Sequence, residues 1–356
     1  MAKLILKNVT VNGKRTDITM DRQTGKILSV EKTELAGRDM GGSEIIAGFV
    51  DIHAHGCVGC DTMDGDKLTE MSRFLAAHGT TAWCPTTMTA AVEEIRRVVA
   101  RSILPTEGAH MLGFHLEGPY ISPKFCGAQK AELAKAPDTA DFASLDGIAL
   151  MTLAPELTGA MEYIQNAPFP IAIGHTAADF KTAQSAFRKG ASGVSHIFNA
   201  MPPLHHREPS VVGAALIENA YVQVICDGKH IHPAVIMALY RMFGSDRMIL
   251  ISDSMRATGL SDGTYELGGQ PFIVKDGVAR TESGALAGST STLADCVRCA
   301  IEFGIPRPEA IKMASETPAK YLGIPKGKLA PGYDADLLVV DNALHIKEVF
   351  LCNHLK

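Results

Sequence analysis

Two histidines separated by one residue follow an apolar stretch at residues 45–52, and this spacing suits metal binding. If the stretch is a β-strand, His53 and His55 point to the same face, because side chains alternate with a period of two. Two imidazoles on one face at the end of a strand can bind one metal ion. The pair therefore predicts a metal site at the end of a buried strand.

The same pattern recurs along the chain. Other short apolar runs lead to a metal-binding or acid/base side chain at or near their ends, namely Glu117, His175, His196 and Asp253. Because five separate runs each deliver such a group, we interpret them as parts of one shared site. Nitrogen and carboxylate ligands around an open position suit Zn²⁺, Fe²⁺ or another divalent ion that activates water.

These side chains need a framework that brings distant strand ends together. Strand-like apolar runs cover residues 49–55, 80–87, 111–117, 149–156, 171–175, 193–198, 222–227 and 248–253. Helix-like stretches include residues 67–78, 92–104, 180–189, 233–243 and, after a Gly-rich segment at 259–288, residues 291–303 and 308–319. Eight β-then-α units predict an α/β fold, a (β/α)8 TIM-type barrel, whose catalytic side chains come from the C-terminal ends of the strands.

The two ends of the chain follow a different pattern. They alternate apolar and polar residues, as short antiparallel strands do, over residues 4–11, 17–20, 27–31, 336–341 and 346–351. We predict that both termini build one small β-sandwich domain. The predicted boundaries are 1–47 for its N-terminal part, 48–324 for the catalytic barrel and 325–356 for its C-terminal part.

Composition limits the classes of function. The 356 residues are 46% hydrophobic and 21% charged, which indicates a large folded core. The formal charge of −5 argues against a dedicated nucleic-acid binder, and no apolar stretch is long enough to span a membrane. The charged residues near the N-terminus do not suit a signal peptide, so we expect a cytoplasmic location. We expect the eight cysteines to be scattered reduced thiols.

The chain resembles the N-acetylglucosamine-6-phosphate deacetylase family of the amidohydrolase superfamily. The resemblance extends, in order, over nearly the whole chain. Its motifs are GFVDIHAHG (48–56), HLEGP (115–119), IGHT (173–176), SHIFNAM (195–201), DGKH (227–230), SDSM (252–255), LAGS (286–289) and GYDADL (332–337). The Glu-Gly-Pro and His-x-Phe-Asn-Ala-Met stretches are far more specific than the paired histidines alone.

The resemblance implies roles for the candidate residues. Glu117, His175 and His196 would bind the principal divalent metal, and His53 and His55 could bind a second, with Glu117 bridging. The expected metal is zinc, with iron, manganese or cobalt as alternatives. A further residue, the catalytic Asp253, would take a proton from the attacking water and pass it to the leaving amine. The implied reaction removes acetate from an N-acetylhexosamine 6-phosphate.

The same resemblance implies the contacts of the substrate. Asn199 and Ala200 would bind the phosphate, His230 would contact the sugar or its phosphate, and Arg207 would reach the phosphate from the neighbouring subunit of a homodimer. Some relatives carry a histidine that bonds the substrate carbonyl where this chain has Gln129. Glutamine can donate a neutral hydrogen bond, so Gln129 is a candidate for that role.

Alternative functions remain open at this point. The substrate is either N-acetylglucosamine 6-phosphate, which we favour, or its galacto isomer, because no residue visibly distinguishes the two. Another amidohydrolase activity, on a cyclic amide or a dipeptide, is disfavoured because the fourth strand-like run ends without the lysine that many such enzymes use. A nucleobase deaminase is disfavoured by Arg207 and the Asn-Ala-Met loop. A sugar-phosphate-binding regulator without catalysis would lack a ligand or Asp253, and all are present.

Overall fold

The computed structural model describes residues 3–101, 104, 107–282 and 284–355. The strands are β1 (Lys3–Val11), β2 (Lys14–Asp21), β3 (Ile27–Val30), β4 (Arg38–Asp39), β5 (Glu44–Ala47), β6 (Phe49–Ala54), β7 (Gly56–Cys57), β8 (Cys60–Asp61), β9 (Thr80–Thr87), β10 (His110–Met111), β11 (Phe114–Glu117), β12 (Ile148–Leu153), β13 (Ile171–Ile173), β14 (Gly193–Val194), β15 (Tyr221–Ile225), β16 (Met248–Ile251), β17 (Gly263–Leu267), β18 (Gln270–Lys275), β19 (Val278–Thr281), β20 (Leu337–Val340) and β21 (Ile346–Phe350). The α-helices are α1 (Leu68–Ala77), α2 (Val92–Arg101), α3 (Ala160–Asn166), α4 (Phe180–Arg188), α5 (Ser210–Ile217), α6 (Pro233–Phe243), α7 (Leu293–Glu302), α8 (Arg307–Met313) and α9 (Glu316–Leu322).

Eight parallel strands form the barrel, in the order β6, β9, β11, β12, β13, β14, β15 and β16. The ring closes near the C-terminal ends of its first and last strands. There the Asp253 backbone N–H donates to the His53 carbonyl at 2.9 Å, and Ala54 forms a parallel bridge with Ser254. Every residue of β9 and β16 is buried, as expected for parallel strands covered on both faces. The predicted (β/α)8 barrel is confirmed.

The three predicted barrel strands that lead to His175, His196 and Asp253 end earlier than the sequence pattern suggests. The strands β13, β14 and β16 end at Ile173, Val194 and Ile251, and each candidate ligand lies two residues further on. His175, His196 and Asp253 have φ angles of 46°, 23° and 47°. A positive φ is incompatible with an extended strand, so the chain must leave the sheet before it reaches these residues.

The helix predictions hold with two differences. The helix predicted at 92–104 is observed as Val92–Arg101, and residues 102 and 103 lie outside the described residues. The helix predicted at 308–319 is wrong as a single element, because α8 ends at Met313 and α9 begins at Glu316. Pro318 lies in the first turn of α9, where its missing N–H costs no helical hydrogen bond.

Both ends of the chain contribute to a separate seven-stranded sheet, which confirms the predicted small β domain. Its order is β21, β20, β5, β1, β2 and β3, with β4 paired beside β1. The sheet has its own apolar core, which includes Leu6, Ile18, Ile45 and Leu337. The boundaries proposed at 47/48 and 324/325 stay a prediction, and residues 1, 2 and 356 lie outside the described residues.

A three-stranded antiparallel sheet, β17–β19, occupies the segment that the sequence suggested was only Gly-rich. Its buried residues alternate along β18, where Phe272 and Val274 point inward and Ile273 is exposed. The buried face packs with Leu267, Met88 and other residues in a small apolar cluster. We call this sheet the lid sheet, because its first turn lies beside the cavity described below.

Candidate metal centre and active site

The six candidate ligand and acid/base residues meet at the C-terminal end of the barrel. The Glu117 carboxylate lies at their centre: its Oε1 is 3.2 Å from His53 Nε2, 3.3 Å from His175 Nε2 and 2.9 Å from His196 Nε2. Its Oε2 is 3.3 Å from His55 Nε2. Asp253 Oδ1 lies 3.3 Å from His55 Nε2 and 3.6 Å from His53 Nε2. All six residues are buried.

Hydrogen bonds behind three of the four histidines aim their Nε2 atoms at this centre; among the described residues, the buried His196 Nδ1 has no such partner. His53 Nδ1 is 3.1 Å from Gln223 Oε1, His55 Nδ1 is 3.1 Å from the Thr86 carbonyl, and His175 Nδ1 is 3.1 Å from the Phe125 carbonyl. An oxygen acceptor at Nδ1 places the proton there and leaves the lone pair on Nε2, which is the arrangement of metal-binding histidines. The donor set therefore fits a metal.

The geometry provides two overlapping groups of potential ligands. His53, Glu117 and His196 form one, and His53, His55 and Asp253 form the other; within each group the ligand atoms lie within 4.8 Å of one another. His175 adjoins the first group, since its Nε2 is 3.1 Å from His196 Nε2. Imidazole nitrogen and carboxylate oxygen suit zinc and similar divalent ions.

The electrostatics also favour positive charge at the centre. Burial lowers the pKa of His55, but hydrogen bonds to Asp253 and Glu117 outweigh burial and hold that pKa well above its usual range. Burial raises the pKa of Glu117, yet the neighbouring His53 and His175 bring it well below its ordinary value. Burial raises the pKa of Asp253, but His53, His55 and His196 together outweigh burial and lower that pKa. Two buried carboxylates thus stay ionised and attract cations.

A cavity of about 300 Å³, the central cavity, opens above these groups. Its lining includes Glu117, His55, His175, His196 and Asp253, together with the candidate substrate contacts Asn199, Ala200, His230 and Gln129. Among the described residues that line it, none is lysine or arginine. Arg207 is not one of these lining residues; it is exposed, and its Nη1 lies 2.6 Å from His206 Nε2.

The loop after β14 offers a backbone donor to this cavity. Ala200 has a φ of 50°, and its carbonyl accepts the Thr176 N–H at 3.1 Å. Within the part of the chain that the structure describes, the Ala200 N–H has no acceptor. Asn199 Nδ2 donates back to the His196 carbonyl at 3.1 Å, so that side chain braces the loop. Ala200 is the better candidate of the two for donating a hydrogen bond to an anion.

Two candidate contacts have strong partners within the protein. Gln129 Nε2 donates to Glu117 Oε2 at 2.5 Å, and its Oε1 accepts the Thr89 N–H at 2.7 Å. Gln129 therefore orients Glu117 as well as lining the cavity. His230 Nδ1 lies 2.8 Å from Asp227 Oδ2. Burial raises the pKa of Asp227, but hydrogen bonds from His230 outweigh it and lower that pKa.

Sequence reasoning did not identify Gln223 and Asp227 as parts of the site. Gln223 lies on β15 and reaches a histidine on β6, and such a contact between distant strands leaves no local pattern. Asp227 could have been found, because it begins the DGKH motif just past the end of β15. An acidic residue three positions before a candidate histidine at a strand end is a usable signal.

The fold and the centre together define a class: a (β/α)8 barrel with buried histidine and carboxylate ligands at its C-terminal end. The profile of the amidohydrolase family matches residues 45–353. That family is metal-dependent, in agreement with the ligand groups described above.

Two similar proteins indicate where the chain belongs within the amidohydrolase family. An N-acetylglucosamine-6-phosphate deacetylase of Vibrio furnissii is 40% identical over 331 residues, covering 88% of this chain and 82% of the relative. An N-acetylgalactosamine-6-phosphate deacetylase of Escherichia coli O157:H7 is 36% identical over 345 residues, covering 92% and 91%. The chain therefore belongs to the amidohydrolase family and, within it, to the N-acetylglucosamine-6-phosphate deacetylase family.

Solved structures agree with this membership. A mutant of the N-acetyl-D-glucosamine-6-phosphate deacetylase of Mycobacterium smegmatis, in complex with N-acetyl-D-glucosamine-6-phosphate, matches with a TM-score of 0.90 at 31% identity over 99% of both chains. The deacetylase of Pasteurella multocida matches with a TM-score of 0.91 at 28% identity over 99% of this chain and 98% of that one. Separately, no helix among the described residues is long and apolar enough to cross a membrane.

Proposed function

We propose that the protein hydrolyses the acetamide of an N-acetylhexosamine 6-phosphate to the amino sugar 6-phosphate and acetate. The observation that carries the proposal is the grouping of Glu117, the four histidines and Asp253, all of which except His53 line a cavity of about 300 Å³. That volume is at the lower end of the range for small-molecule sites. The names of the relatives support the choice of substrate.

Each residue of the centre has a proposed role. Glu117, His175 and His196 would hold one divalent cation, and His53 and His55 would hold a second, with Glu117 shared between them. Zinc is the proposed metal, with iron, manganese and cobalt as alternatives. Such a cation, when bound, polarises the amide carbonyl and lowers the pKa of water.

Asp253 is the proposed proton carrier. A water oxygen attacks the amide carbon, and Asp253 accepts the proton that this water loses. When the C–N bond breaks, Asp253 returns the proton to the leaving nitrogen, so the immediate products are acetic acid and the neutral amine. The second proton of the water, which acetic acid releases, then protonates the amine, and the final products are acetate and the ammonium form of the amino sugar 6-phosphate. Its lowered pKa supports this order of events, since the group must be ionised before it can accept a proton.

The sugar is proposed to be N-acetylglucosamine 6-phosphate, with the galacto isomer as the second candidate. Relatives of both kinds match most of this chain at similar identity. The test is acetate release from the two sugar phosphates, measured side by side with metal-supplemented enzyme and with an Asp253→Asn control. Turnover of either compound that the control lacks supports the proposal, and the ratio decides the sugar. Absence of turnover of both by metal-loaded enzyme would contradict it.

Arg207 is proposed to complete the phosphate site from the partner subunit of a homodimer. The central cavity needs a cation for a phosphate dianion, and its described lining contains no lysine or arginine. Ala200 and His230 would supply the contacts from within the chain. The exposure of Arg207, on a loop that also exposes Leu204, supports a role across an interface.

Subunit mixing tests this arrangement. We expect Arg207→Ala and Asp253→Asn chains, each nearly inactive alone, to regain activity when mixed, because a mixed dimer contains one site with both groups intact. Size-exclusion chromatography with light scattering checks the dimer. A folded, dimeric mixture without recovery would contradict the role across the interface, while activity of Arg207→Ala alone would remove the residue from the site.

The proposal includes a cytoplasmic location. The eight cysteines are free thiols, which is usual in a reducing compartment.

A further inference from the structure

A second cavity of about 240 Å³ lies next to the central cavity. Met88 lines both cavities. On each side of Met88 the boundary falls between neighbouring residues: Leu267 lines the central cavity and Gly268 the second, while Gln129 lines the central cavity and Lys130 the second. Met88 therefore forms the middle of a wall whose edges are the lid sheet and the loop around Gln129.

The Met88 side chain is held firmly in this wall. Met88 directly follows β9 and is buried, and its backbone N–H donates to Met63 Sδ at 3.4 Å. The turn between β17 and β18 packs against it: a Cβ on Gly268 would lie 3.4 Å from each of Met88 Cβ, Cγ and Cε. Met88 also belongs to the apolar cluster of the lid sheet. These contacts leave it little freedom to move aside.

The order of the strands around the barrel indicates which part of the substrate would face Met88. Met88 follows the second barrel strand, whereas Ala200 follows the sixth and His230 the seventh, on the opposite side. Asp253 and all the proposed metal ligands except His53 line the same cavity between these sides. The sugar and the acyl group lie on opposite sides of the scissile C–N bond. With the phosphate at Ala200 and His230, the acyl group points toward Met88.

We propose that Met88 sets the length of the N-acyl group that the enzyme removes. This inference rests on the proposed function and deepens it. Formyl and acetyl groups fit in front of the wall, and propionyl and butyryl groups collide with it. The space that a longer acyl chain needs exists immediately behind Met88, in the second cavity, and Met88 closes it off.

The test is a set of N-formyl, N-acetyl, N-propionyl and N-butyryl glucosamine 6-phosphates, compared by kcat/KM. We expect the native enzyme to favour acetyl over propionyl by at least about tenfold, which is the scale at which a site discriminates one methylene. Met88→Ala joins the two cavities and should raise the propionyl-to-acetyl ratio by about tenfold or more. Leu133→Ala is the matched control, because Leu133 lines only the second cavity and its truncation leaves the wall closed.

Circular dichroism and thermal unfolding would reveal a folding defect in Met88→Ala. Two further variants keep the test informative if that defect occurs. Met88→Phe should shift preference the other way, toward formyl, and Met88→Leu should preserve the native ratio. Folded Met88→Ala or Met88→Phe enzyme with the native acyl preference would overturn the proposal. Failure of the native enzyme to hydrolyse even the N-acetyl compound would instead contradict the proposed function, so the two failures are distinguishable.

Discussion

Glu117 is the residue on which the whole centre depends. One carboxylate oxygen faces His53, His175 and His196, and the other faces His55. A carboxylate that reaches both groups of ligands can serve two cations at once, or anchor one. Gln129 stabilises this orientation by donating to the second oxygen. The proposed binding of two metals therefore depends on how a single buried side chain is held.

Asp253→Asn should abolish turnover while metal stays bound. Asparagine keeps the size and one oxygen of the side chain but cannot carry a proton between water and amine, so kcat should fall by about 10²–10⁴-fold. Steady-state kinetics gives the loss, and metal content per chain, measured by atomic absorption, should match the native enzyme. Retained activity would remove Asp253 from the mechanism.

Gln223→Leu should weaken metal binding. Gln223 Oε1 accepts the hydrogen bond from His53 Nδ1, and loss of such an acceptor typically lowers metal affinity about 10–100-fold. Equilibrium dialysis against a competing chelator measures the affinity. Gln223→Glu is the matched control, since a carboxylate still accepts the hydrogen bond and should keep tight binding. If Gln223→Leu binds the metal as tightly as the native enzyme does, packing alone holds His53 in place.

The sequence supplied the residues of the centre but not what supports them. The histidines and carboxylates follow apolar runs, and that local pattern is visible without a structure. Gln223, by contrast, acts on His53 from a strand that lies far away in the sequence. Met88 is an ordinary apolar residue whose position between two cavities depends on the lid sheet. Contacts between distant segments leave no periodic trace in the sequence.

At the scale of elements, short strands explain how the ligands converge. The strands β13, β14 and β16 stop two residues before His175, His196 and Asp253, and the positive φ at each of these residues takes it out of the extended conformation. Residues held in this conformation concentrate at functional sites, where the surrounding structure must fix them. The apolar pattern located these strands but could not reveal where each one stops, because a strand end depends on backbone angles.

The lid sheet should affect substrate binding more than global stability. Phe272 is buried in its core, so Phe272→Ala should cost the sheet about 3–5 kcal/mol of packing. We expect a raised KM for the sugar phosphate and faster amide exchange at residues 263–281, with the barrel unaffected. Hydrogen–deuterium exchange with mass spectrometry resolves the segment.

Ile273→Ala is the control for this experiment. Ile273 lies on the same strand and is 56% exposed, so its truncation removes little packing. We expect its KM for the sugar phosphate and its amide exchange at residues 263–281 to match those of the native enzyme. If Phe272→Ala and Ile273→Ala behave alike, the lid sheet does not shape the cavity.

At the scale of the whole molecule, one buried lysine connects the barrel to the terminal sheet. Lys326 follows the last helix, and its Nζ lies 2.8 Å from Asp334 Oδ2 and 2.7 Å from Asp336 Oδ2, just before β20. Burial lowers the pKa of Lys326, but the charge of Asp336 and the hydrogen bonds to both aspartates outweigh it and raise that pKa. The junction is thus held by a desolvated ionic cluster.

Lys326→Met should destabilise the protein strongly. Removing one partner leaves buried Asp336 without its counter-charge, and such a loss costs about 3–5 kcal/mol. Urea unfolding followed by circular dichroism measures the free energy. Lys328→Met is the control: its ion pair with Glu316, at 3.3 Å, is exposed and should contribute little. Equal stability of the two variants would mean that the buried cluster does not hold the junction.

The pairing of β5 with β20 has a consequence for synthesis on the ribosome. Glu44 pairs with Val340 and Ala47 with Leu337. The edge of β5 beside Ile45 and Ile46 therefore stays unpaired until the whole barrel has been translated. An unpaired apolar strand edge invites association with other chains. Nascent chains that stall before Leu337 should therefore be the species that most need chaperones, whatever the stability of the finished enzyme.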